Sequence, residues 1–369
     1  MGEPKSEVVL ELSKEGIYRI FAVMQAEKEE KNLILFFGPR RMVFRGRLKA
    51  GEKKEVCFLV NMDRYERHHT EEGRLRIWTF SDGPVLTRVN AEKLWDGECA
   101  TVYVAGDSTV TDQEVENYHP YTSYCGWAQT MPCFLRPEVG WSNYADSGLT
   151  TDSFRQQGYY EEVRKRMRPG DFFLMQFGHN DQKLYELQAE TGYRENLLKY
   201  IAECREIQVN PILTTPVGRN IWNTDETYND LLEDHARVVR AVAKEQKVPL
   251  IDLHKRSVDW YRKLGAEGVC MQGAVAYFHP GDYTHFNDYG AYQMASFVAA
   301  EMRKWKEGAY GQLAVSVTEG LGRWVPDATL PEGVEAPAPT AGMMSEFTLL
   351  EAIENAKKPP VDPDTKRLH

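Results

Sequence analysis

A serine, an aspartate and a histidine that could form a proton relay lie in two distant parts of this chain. Ser108 belongs to the run GDST at 106–109, directly after a short apolar stretch at 101–105. Asp282 and His285 stand three residues apart in the run DYTH. A serine hydroxyl is a weak nucleophile unless a base lies within hydrogen-bond reach and an acid orients that base. The three residue types therefore predict acyl transfer with Ser108 as nucleophile; a turn or helix cap is the alternative for Ser108 alone.

Two further segments could supply hydrogen-bond donors to an oxyanion. Gly148 ends the run NYADSG, and a glycine N–H can approach a reacting atom closely. Asn180 lies in QFGHND, directly after another apolar stretch, and its amide binds negative charge without titrating. A simple loop glycine and an Asx turn are the alternative interpretations. Because ligands bind at the carboxyl ends of strands in open α/β sheets, we expect these segments to meet at one edge of a sheet.

Together the four segments resemble the SGNH hydrolases, also called the GDSL family. That family is named after Ser, Gly, Asn and His in four blocks, which match Ser108, Gly148, Asn180 and His285 in the same order. The runs GDST, FGHND and DYTHFNDYGA are similar to the rhamnogalacturonan acetylesterase branch, in which threonine replaces the leucine of GDSL. The resemblance covers about residues 100–305. It implies a flavodoxin-like three-layer α/β/α hydrolase domain with no metal and no organic cofactor.

The resemblance also implies a role for each matching residue. Asp282 is expected to orient His285, which takes the proton of Ser108 and returns it to the leaving group. The backbone N–H groups of Ser108 and Gly148, together with the side chain of Asn180, are expected to bind the oxyanion.

Four other residues are predicted to contact a substrate: His179, Arg219, Trp222 and Tyr283. Arg219 follows a predicted strand and could pair with the carboxylate of a uronic acid, with a surface salt bridge as the alternative. Trp222 and Tyr283 could stack on a sugar ring or pack in the core. His179 could contact the substrate or support its own loop.

The elements that must position these residues predict a small all-β domain followed by an α/β domain. Residues 1–97 contain short runs rich in β-branched and aromatic residues, separated by turn residues, at 17–24, 32–37, 55–60 and 74–80. This pattern indicates an N-terminal β-sandwich accessory domain. Its aromatic residues, Phe36, Phe37 and Trp78, could bind a sugar or form the core.

Residues 98–310 are predicted to be the catalytic domain. Apolar runs that indicate strands occur at 101–105, 171–177, 211–215 and 249–253, with a further candidate at 143–146. Amphipathic stretches that indicate helices occur at 191–208, 227–246 and 288–305. This alternation predicts about five parallel strands with helices on both faces.

The C-terminal residues 311–369 are predicted to form an extended tail. They contain Pro326, Pro331, Pro337 and Pro339 and a short apolar patch at 347–352. Packing on the body or on a neighbouring subunit, which would make the chain a homo-oligomer, is one interpretation, and a disordered tail is the other.

Composition limits the partners and the cofactors. The formal net charge of −10 argues against nucleic acid and against an anionic membrane as partners, because both require clustered Lys and Arg. The six cysteines show no CxxC spacing, and the start of the chain shows no secretory signal, so free thiols and a cytoplasmic location are expected. His279 lies near Asp282 and His285, but no cysteine or third carboxylate completes a metal site there.

The main functional hypothesis is a serine esterase that removes O-acetyl groups from pectin-derived, rhamnogalacturonan-type oligosaccharides. A second hypothesis is an SGNH esterase acting on another acetylated glycan, such as xylan, or on a lipid ester. A third is a carbohydrate-binding protein whose hydrolase core is vestigial, an idea to which the N-terminal β-domain gives some weight.

Overall fold

The period-two pattern of the N-terminal segment forms two antiparallel sheets packed face to face. We describe a computed structural model for residues 5–12, 14–63, 73–115, 117–223, 225, 227–265, 276–325 and 347–359. The seven N-terminal strands are β1 (Ser6–Glu11), β2 (Gly16–Gln25), β3 (Glu30–Phe37), β4 (Arg41–Leu48), β5 (Lys53–Met62), β6 (Arg74–Phe80) and β7 (Leu86–Lys93). One sheet has the order β1-β6-β3-β4 and the other β5-β2-β7. The predicted β-domain is confirmed.

Strand β3 shows why this domain is joined tightly to the rest of the chain. Leu33, Leu35 and Phe37 point between the two sheets and pack in the core of the sandwich. Ile34 and Phe36 point to the opposite face and belong to a second apolar cluster that is shared with the catalytic domain. Because successive side chains of a strand alternate, a strand buried on both faces is apolar throughout.

The second half of the chain forms a five-stranded parallel sheet. Its strands are β8 (Ala100–Gly106), β9 (Val139–Asn143), β10 (Phe172–Gln176), β11 (Asn210–Thr214) and β12 (Leu250–Ile251). Their spatial order is β12-β11-β10-β8-β9, and every neighbouring pair is parallel. This is the flavodoxin-like order, which confirms the predicted fold class.

Helices cover both faces of this sheet. They are α1 (Trp127–Thr130), α2 (Ser153–Gln156), α3 (Tyr159–Arg166), α4 (Arg194–Glu206), α5 (Glu233–Gln246), α6 (Leu253–Gly265), α7 (Asp288–Met302), α8 (Gly308–Val315) and α9 (Phe347–Ala356). Val102 and Val104 of β8 pack on one face with residues of α7, whereas Tyr103 and Ala105 pack on the other face with residues of α4 and α5.

Two predicted strands differ from the observed ones. A strand was predicted at 143–146, but the observed strand β9 lies earlier, at Val139–Asn143. After Asn143 the chain leaves the regular strand, and the Ala145 N–H donates to the Asn143 side chain (3.2 Å). The predicted strand at 249–253 is shorter, because helix α6 already begins at Leu253.

Part of the predicted extended tail is helical. Residues 311–315 are the end of α8, and the apolar patch at 347–352 lies in α9, which packs against the short turn Asp181–Lys183. Between them, Val317 pairs with Leu135, and the Trp324 ring lies 4.4 Å from the ring of Tyr289. The four prolines from Pro326 to Pro339 lie outside the described residues.

The described part of the chain also bears on the thiols and on membrane insertion. Cys57, Cys99, Cys125, Cys133 and Cys204 are free thiols, and Cys270 lies outside the described residues. Every described helix is too short or too polar to span a bilayer.

Candidate active site

The loops that follow the strands bring Ser108, His285 and Asp282 together in one cleft. Ser108 Oγ lies 2.8 Å from His285 Nε2, and His285 Nδ1 lies 2.8 Å from Asp282 Oδ2. The second oxygen of Asp282 accepts hydrogen bonds from the backbone N–H groups of Thr284 (2.7 Å) and His285 (2.9 Å). One carboxylate therefore holds both the ring and the backbone of His285, the arrangement in which a base is oriented by an acid.

The charge on Asp282 suits it to this task. Burial alone would raise its pKa, but hydrogen bonding and charge interaction with His285, together with the backbone N–H groups of His285 and Thr284, lower the pKa of Asp282 below its ordinary value. The carboxylate is therefore ionised at neutral pH and can stabilise a protonated imidazole.

The loop that carries His285 is fixed at both ends. The His279 N–H donates to His285 O (3.0 Å), which closes the turn that contains Asp282. Asn287 caps helix α7 by accepting the Gly290 N–H (3.1 Å), and its amide group donates to Phe278 O (3.0 Å). Because Ser, Thr, Asp and Asn are preferred at this position, the sequence places the N-cap of α7 two residues after His285.

The turn that carries Ser108 is held by the buried carboxylate of Asp107. One oxygen of Asp107 accepts the backbone N–H (3.0 Å) and the hydroxyl (2.8 Å) of Thr109. The other oxygen lies 3.2 Å from His179 Nδ1. Burial would raise the pKa of Asp107, but His179 and Thr109 lower it below its ordinary value, whereas burial lowers the pKa of His179. A neutral His179 that donates through Nδ1 to an ionised Asp107 accounts for the lowered pKa of both residues.

Three candidate hydrogen-bond donors belong to residues that line the cleft. The backbone N–H groups of Ser108 and Gly148 have no acceptor among the described residues. Gly148 has a φ of +82°, a left-handed conformation that favours glycine, and a Cβ there would meet nothing within 4 Å. The third donor is the side-chain amide of Asn180, which lines the same cleft.

The orientation of the Asn180 amide follows from its two partners. Its Nδ2 donates to Leu149 O (3.1 Å), and its Oδ1 accepts from Lys183 Nζ (3.1 Å). An ammonium can only donate and a carbonyl can only accept, so these contacts fix which end is nitrogen. The second hydrogen of Nδ2 is then available to a ligand in the cleft.

The cleft has a volume of about 410 Å³ and is lined mostly by polar residues. Its residues are Ser108, Gln113, Tyr124, Ser147, Gly148, His179, Asn180, Lys183, Arg219, Asp282, Thr284 and His285. Tyr124 contributes the only large apolar surface among them, and its ring packs edge-on against His285 with centroids 5.8 Å apart.

The predicted substrate contacts differ in where they lie. His179 and Arg219 line the cleft but are 2% and 4% exposed, and Arg219 donates to His179 O (3.1 Å) and to the Thr284 hydroxyl. Trp222 is buried, donates to the Asn220 side chain (2.8 Å) and packs on Tyr228, outside the cleft lining. Tyr283 is half-buried and also lies outside that lining.

Sequence reasoning missed five residues of the cleft: Gln113, Tyr124, Ser147, Lys183 and Thr284. Lys183 had one available signal, because it follows Asn180 by three residues and such pairs meet in a helical turn. Burial, chiefly, and the charge of Arg219 lower the pKa of Lys183. Gln113 and Tyr124 offer no pattern in sequence, since they enter the cleft from loops, whereas Ser147 and Thr284 directly precede the predicted residues Gly148 and His285.

One group outside the cleft has the composition of a metal site. Ligand atoms of Asp230, Glu233 and His254 lie within 4.8 Å of one another. The Arg240 guanidinium donates to Glu233 (2.9 Å) and lies 3.1 Å from His254 Nδ1. It supplies the positive charge that these side chains require, so we assign the group to structure.

Asp181, beneath the cleft, gives a testable effect of pH on stability. The Thr151 N–H (2.9 Å) and hydroxyl (2.6 Å) donate to its Oδ1, but burial raises its pKa from the ordinary 3.8 to about 7. Between about pH 4 and 7 the folded chain therefore keeps Asp181 protonated, whereas the unfolded chain releases this proton. The free energy of unfolding of wild type should therefore fall as the pH rises through that window. Asparagine cannot ionise, so the free energy of unfolding of Asp181→Asn should rise relative to that of wild type as the pH increases from about 4 to 7.

The measurement is urea unfolding of both proteins at several pH values between 4 and 8. The relative change should not exceed about 1.4 kcal/mol per pH unit. Asp259→Asn, on the exposed side of α6, is the control and should show no such trend. A difference between Asp181→Asn and wild type that is constant with pH would contradict the burial argument.

Comparison with known proteins extends this picture. The sequence profile of the GDSL-like Lipase/Acylhydrolase family matches residues 104–291. The Bacillus subtilis (strain 168) protein named probable rhamnogalacturonan acetylesterase YesY is 31% identical over 207 residues, which cover 55% of this chain and 92% of YesY. The rhamnogalacturonan acetylesterase RhgT of the same organism is 29% identical over 208 residues, which cover 54% of this chain and 87% of RhgT.

The fold has a solved counterpart that covers most of the chain. The crystal structure of the Bacillus subtilis protein YxiM superimposes with a TM-score of 0.51 over 80% of this chain and 79% of YxiM, at 23% identity. This likeness concerns the fold alone.

Proposed function

Because this chain belongs to the GDSL-like lipase/acylhydrolase family, as its sequence motifs predicted, we propose that it removes O-acetyl groups from pectin-derived, rhamnogalacturonan-type oligosaccharides. The observation that carries the proposal is the hydrogen-bonded line from Ser108 through His285 to Asp282, which opens into a polar cleft. The names of the relatives YesY and RhgT support the class of substrate.

The reaction follows from this geometry in two steps. Ser108 Oγ attacks the acetyl carbonyl while His285 Nε2 takes its proton; the ester bond then breaks, and His285 returns the proton to the departing sugar oxygen. Water next attacks the acetylated serine with His285 again as base, which releases acetate and restores Ser108. The N–H groups of Ser108 and Gly148 and the Asn180 amide stabilise the oxyanion in both steps, and one such donor contributes about 10²–10³-fold.

The polar lining favours a sugar over a lipid ester. A site for long acyl chains requires an extended apolar wall, and Tyr124 alone does not provide one. In the β-domain, Phe36, Phe37 and Trp78 are all at most 5% exposed, so these aromatic rings are core residues and offer no platform for a sugar. Both observations weigh against the lipolytic and the carbohydrate-binding alternatives.

We assign recognition of the uronate carboxylate to Lys183. Its Nζ is anchored on Asn180 Oδ1 (3.1 Å), lies at the cleft and keeps two further hydrogens for a ligand. Arg219, for which this contact was predicted from sequence, is engaged with Thr284 and His179 O. Its contact with substrate stays a prediction.

Acetate release from matched substrates tests the proposal. Acetylated rhamnogalacturonan fragments should be hydrolysed with a higher kcat/KM than acetylated xylo-oligosaccharides, and long-chain esters should be poor substrates. Lys183→Gln should lower kcat/KM about tenfold or more for the uronate substrate, since hydrogen bonds to charged groups contribute ~1.5–3 kcal/mol. It should change kcat/KM little for the neutral xylo-oligosaccharide.

Lys255→Gln, on the exposed surface of α6, is the matched control and should behave as wild type. An equal loss on both substrates would show that Lys183 only supports Asn180, which would contradict its assignment. A preference for xylan would favour the alternative glycan, and hydrolysis of no ester would contradict the whole proposal.

A further inference from the structure

Two arginines extend from the β-sandwich into the catalytic domain: Arg40, in the turn between β3 and β4, and Arg41, the first residue of β4. Arg40 and Arg41 are 1% and 2% exposed, although arginine side chains are almost never fully buried unless they are paired. Around them, Phe36 stacks on Trp78 (centroids 4.5 Å apart) and packs edge-on against Tyr118 of the catalytic domain (5.0 Å). The two domains thus share a closed apolar contact that excludes water from the arginines.

The guanidinium of Arg40 binds three separate segments of the catalytic domain. It donates through Nη1 to Asp288 Oδ1 and through Nη2 to Tyr124 O. It also donates through Nε and Nη2 to Gln113 O, at 3.4 Å each. The Tyr118 hydroxyl donates to the second oxygen of Asp288 (2.6 Å), so the buried carboxylate is satisfied on both sides.

Each of these segments carries part of the reaction site. Gln113 follows Ser108 by five residues, and its side chain donates to Ser108 O (3.0 Å). The ring of Tyr124 packs against His285, and it also stacks on His279 with centroids 3.6 Å apart. Asp288 begins helix α7, directly behind the loop of His285.

We propose that Arg40 is a positioning residue for acetyl transfer, so that the N-terminal β-sandwich is a structural part of the active site. The inference rests on the proposed function of Ser108 and His285. The nucleophile and the base lie on loops that are distant in sequence. The planar guanidinium of Arg40 is hydrogen-bonded to residues next to both loops. Their alignment at 2.8 Å therefore depends on a residue of the other domain.

Only an arginine satisfies this arrangement. A guanidinium presents five N–H donors in a fixed plane and reaches a carboxylate and two carbonyl oxygens at once, whereas a lysine ammonium is a point charge on a flexible stem. Arg41 adds a second tie: it pairs with Asp112, whose other oxygen accepts from Asn143 at the end of β9, the strand that leads to Gly148.

The test compares Arg40→Lys, Arg40→Met and Tyr118→Phe in the full chain. We expect kcat to fall about 10- to 100-fold for Arg40→Met, because a misplacement of about 1 Å can cost ~10²-fold. The loss should be smaller for Arg40→Lys, which can still meet Asp288, and several-fold for Tyr118→Phe, which keeps its ring in the apolar contact. KM should change little, because Arg40 does not touch the cleft.

Glu30→Gln provides the control for simple loss of stability. Glu30 is buried at the start of β3 and accepts the N–H groups of Asp82 (2.8 Å) and Gly83 (2.9 Å), at the opposite end of that strand from the interdomain turn. This variant should lower Tm while kcat stays that of wild type. All kcat values are normalised to the fraction of chains that react with a fluorophosphonate, so that unfolded protein is not counted.

Two outcomes separate this inference from the proposed function. If wild type hydrolyses acetyl esters but Arg40→Met and Tyr118→Phe retain full kcat, or if Glu30→Gln loses as much kcat as they do, the positioning role is wrong. If Arg40→Met does not fold, Tyr118→Phe decides alone. If wild type itself neither reacts with the probe nor releases acetate, the proposed function fails first.

Discussion

Ser108→Ala is expected to lower kcat for acetyl-ester hydrolysis by about 10⁴- to 10⁶-fold. The reason is that the hydroxyl 2.8 Å from His285 Nε2 is the only protein atom that forms a bond to the acetyl carbon in the proposed mechanism. KM should change little, because the alanine removes one oxygen from a cleft whose other walls remain. Steady-state acetate release at saturating substrate measures the effect.

Ser147→Ala is the matched control for this experiment. Ser147 also lines the cleft, but its backbone N–H is engaged with the Asp146 side chain (2.8 Å), and the proposed mechanism gives it no chemical step. Its kcat should stay within a few-fold of wild type. A loss at Ser147 as large as the one at Ser108, or substantial activity in Ser108→Ala, would contradict the assignment of the nucleophile.

Asp282→Asn is expected to lower kcat by about 10⁴-fold while the fold stays intact. The asparagine oxygen can still accept the backbone N–H groups of Thr284 and His285, so the turn keeps its shape. Its amide nitrogen, however, faces His285 Nδ1 as a donor and forces the imidazole into the tautomer that cannot accept the proton of Ser108. The loss should appear in kcat with an unchanged Tm.

A second Asp–His pair in the same chain serves as control. Asp230 Oδ1 lies 2.9 Å from His254 Nε2, outside the cleft, in the group that also contains Arg240. Asp230→Asn disturbs a comparable hydrogen bond and should lower stability without lowering kcat. If Asp230→Asn and Asp282→Asn reduce activity equally, the orienting role of Asp282 is not specific.

The fold was predictable where one pattern dominates a segment. Strand β6 matched its prediction residue for residue at Arg74–Phe80, because β-branched and aromatic residues lie between clear turn signals. Strand β9 was assigned to the wrong residues because Gly140 and Ser142 hide its apolar character. Helix α6 was missed since Leu253 looked like the end of the strand before it.

The residues of the site were likewise predictable only where a sequence motif marks them. The predicted nucleophile, base, acid and oxyanion donors come from motifs whose order and position after strands can be read directly. Lys183 and Gln113 were missed because their contribution depends on how loops from separate strands meet. The role of Arg40 was also hidden: a turn between two strands of another domain carries no signal that it will bind Asp288, 248 residues further along the chain.

The most direct test of the proposed relay is covalent labelling with a fluorophosphonate followed by peptide mapping. The account predicts one adduct, on the peptide that contains Ser108, with labelling abolished in Ser108→Ala and strongly slowed in Asp282→Asn. An adduct on a different side chain, or hydrolysis of acetyl esters by a protein that the probe never modifies, would contradict it.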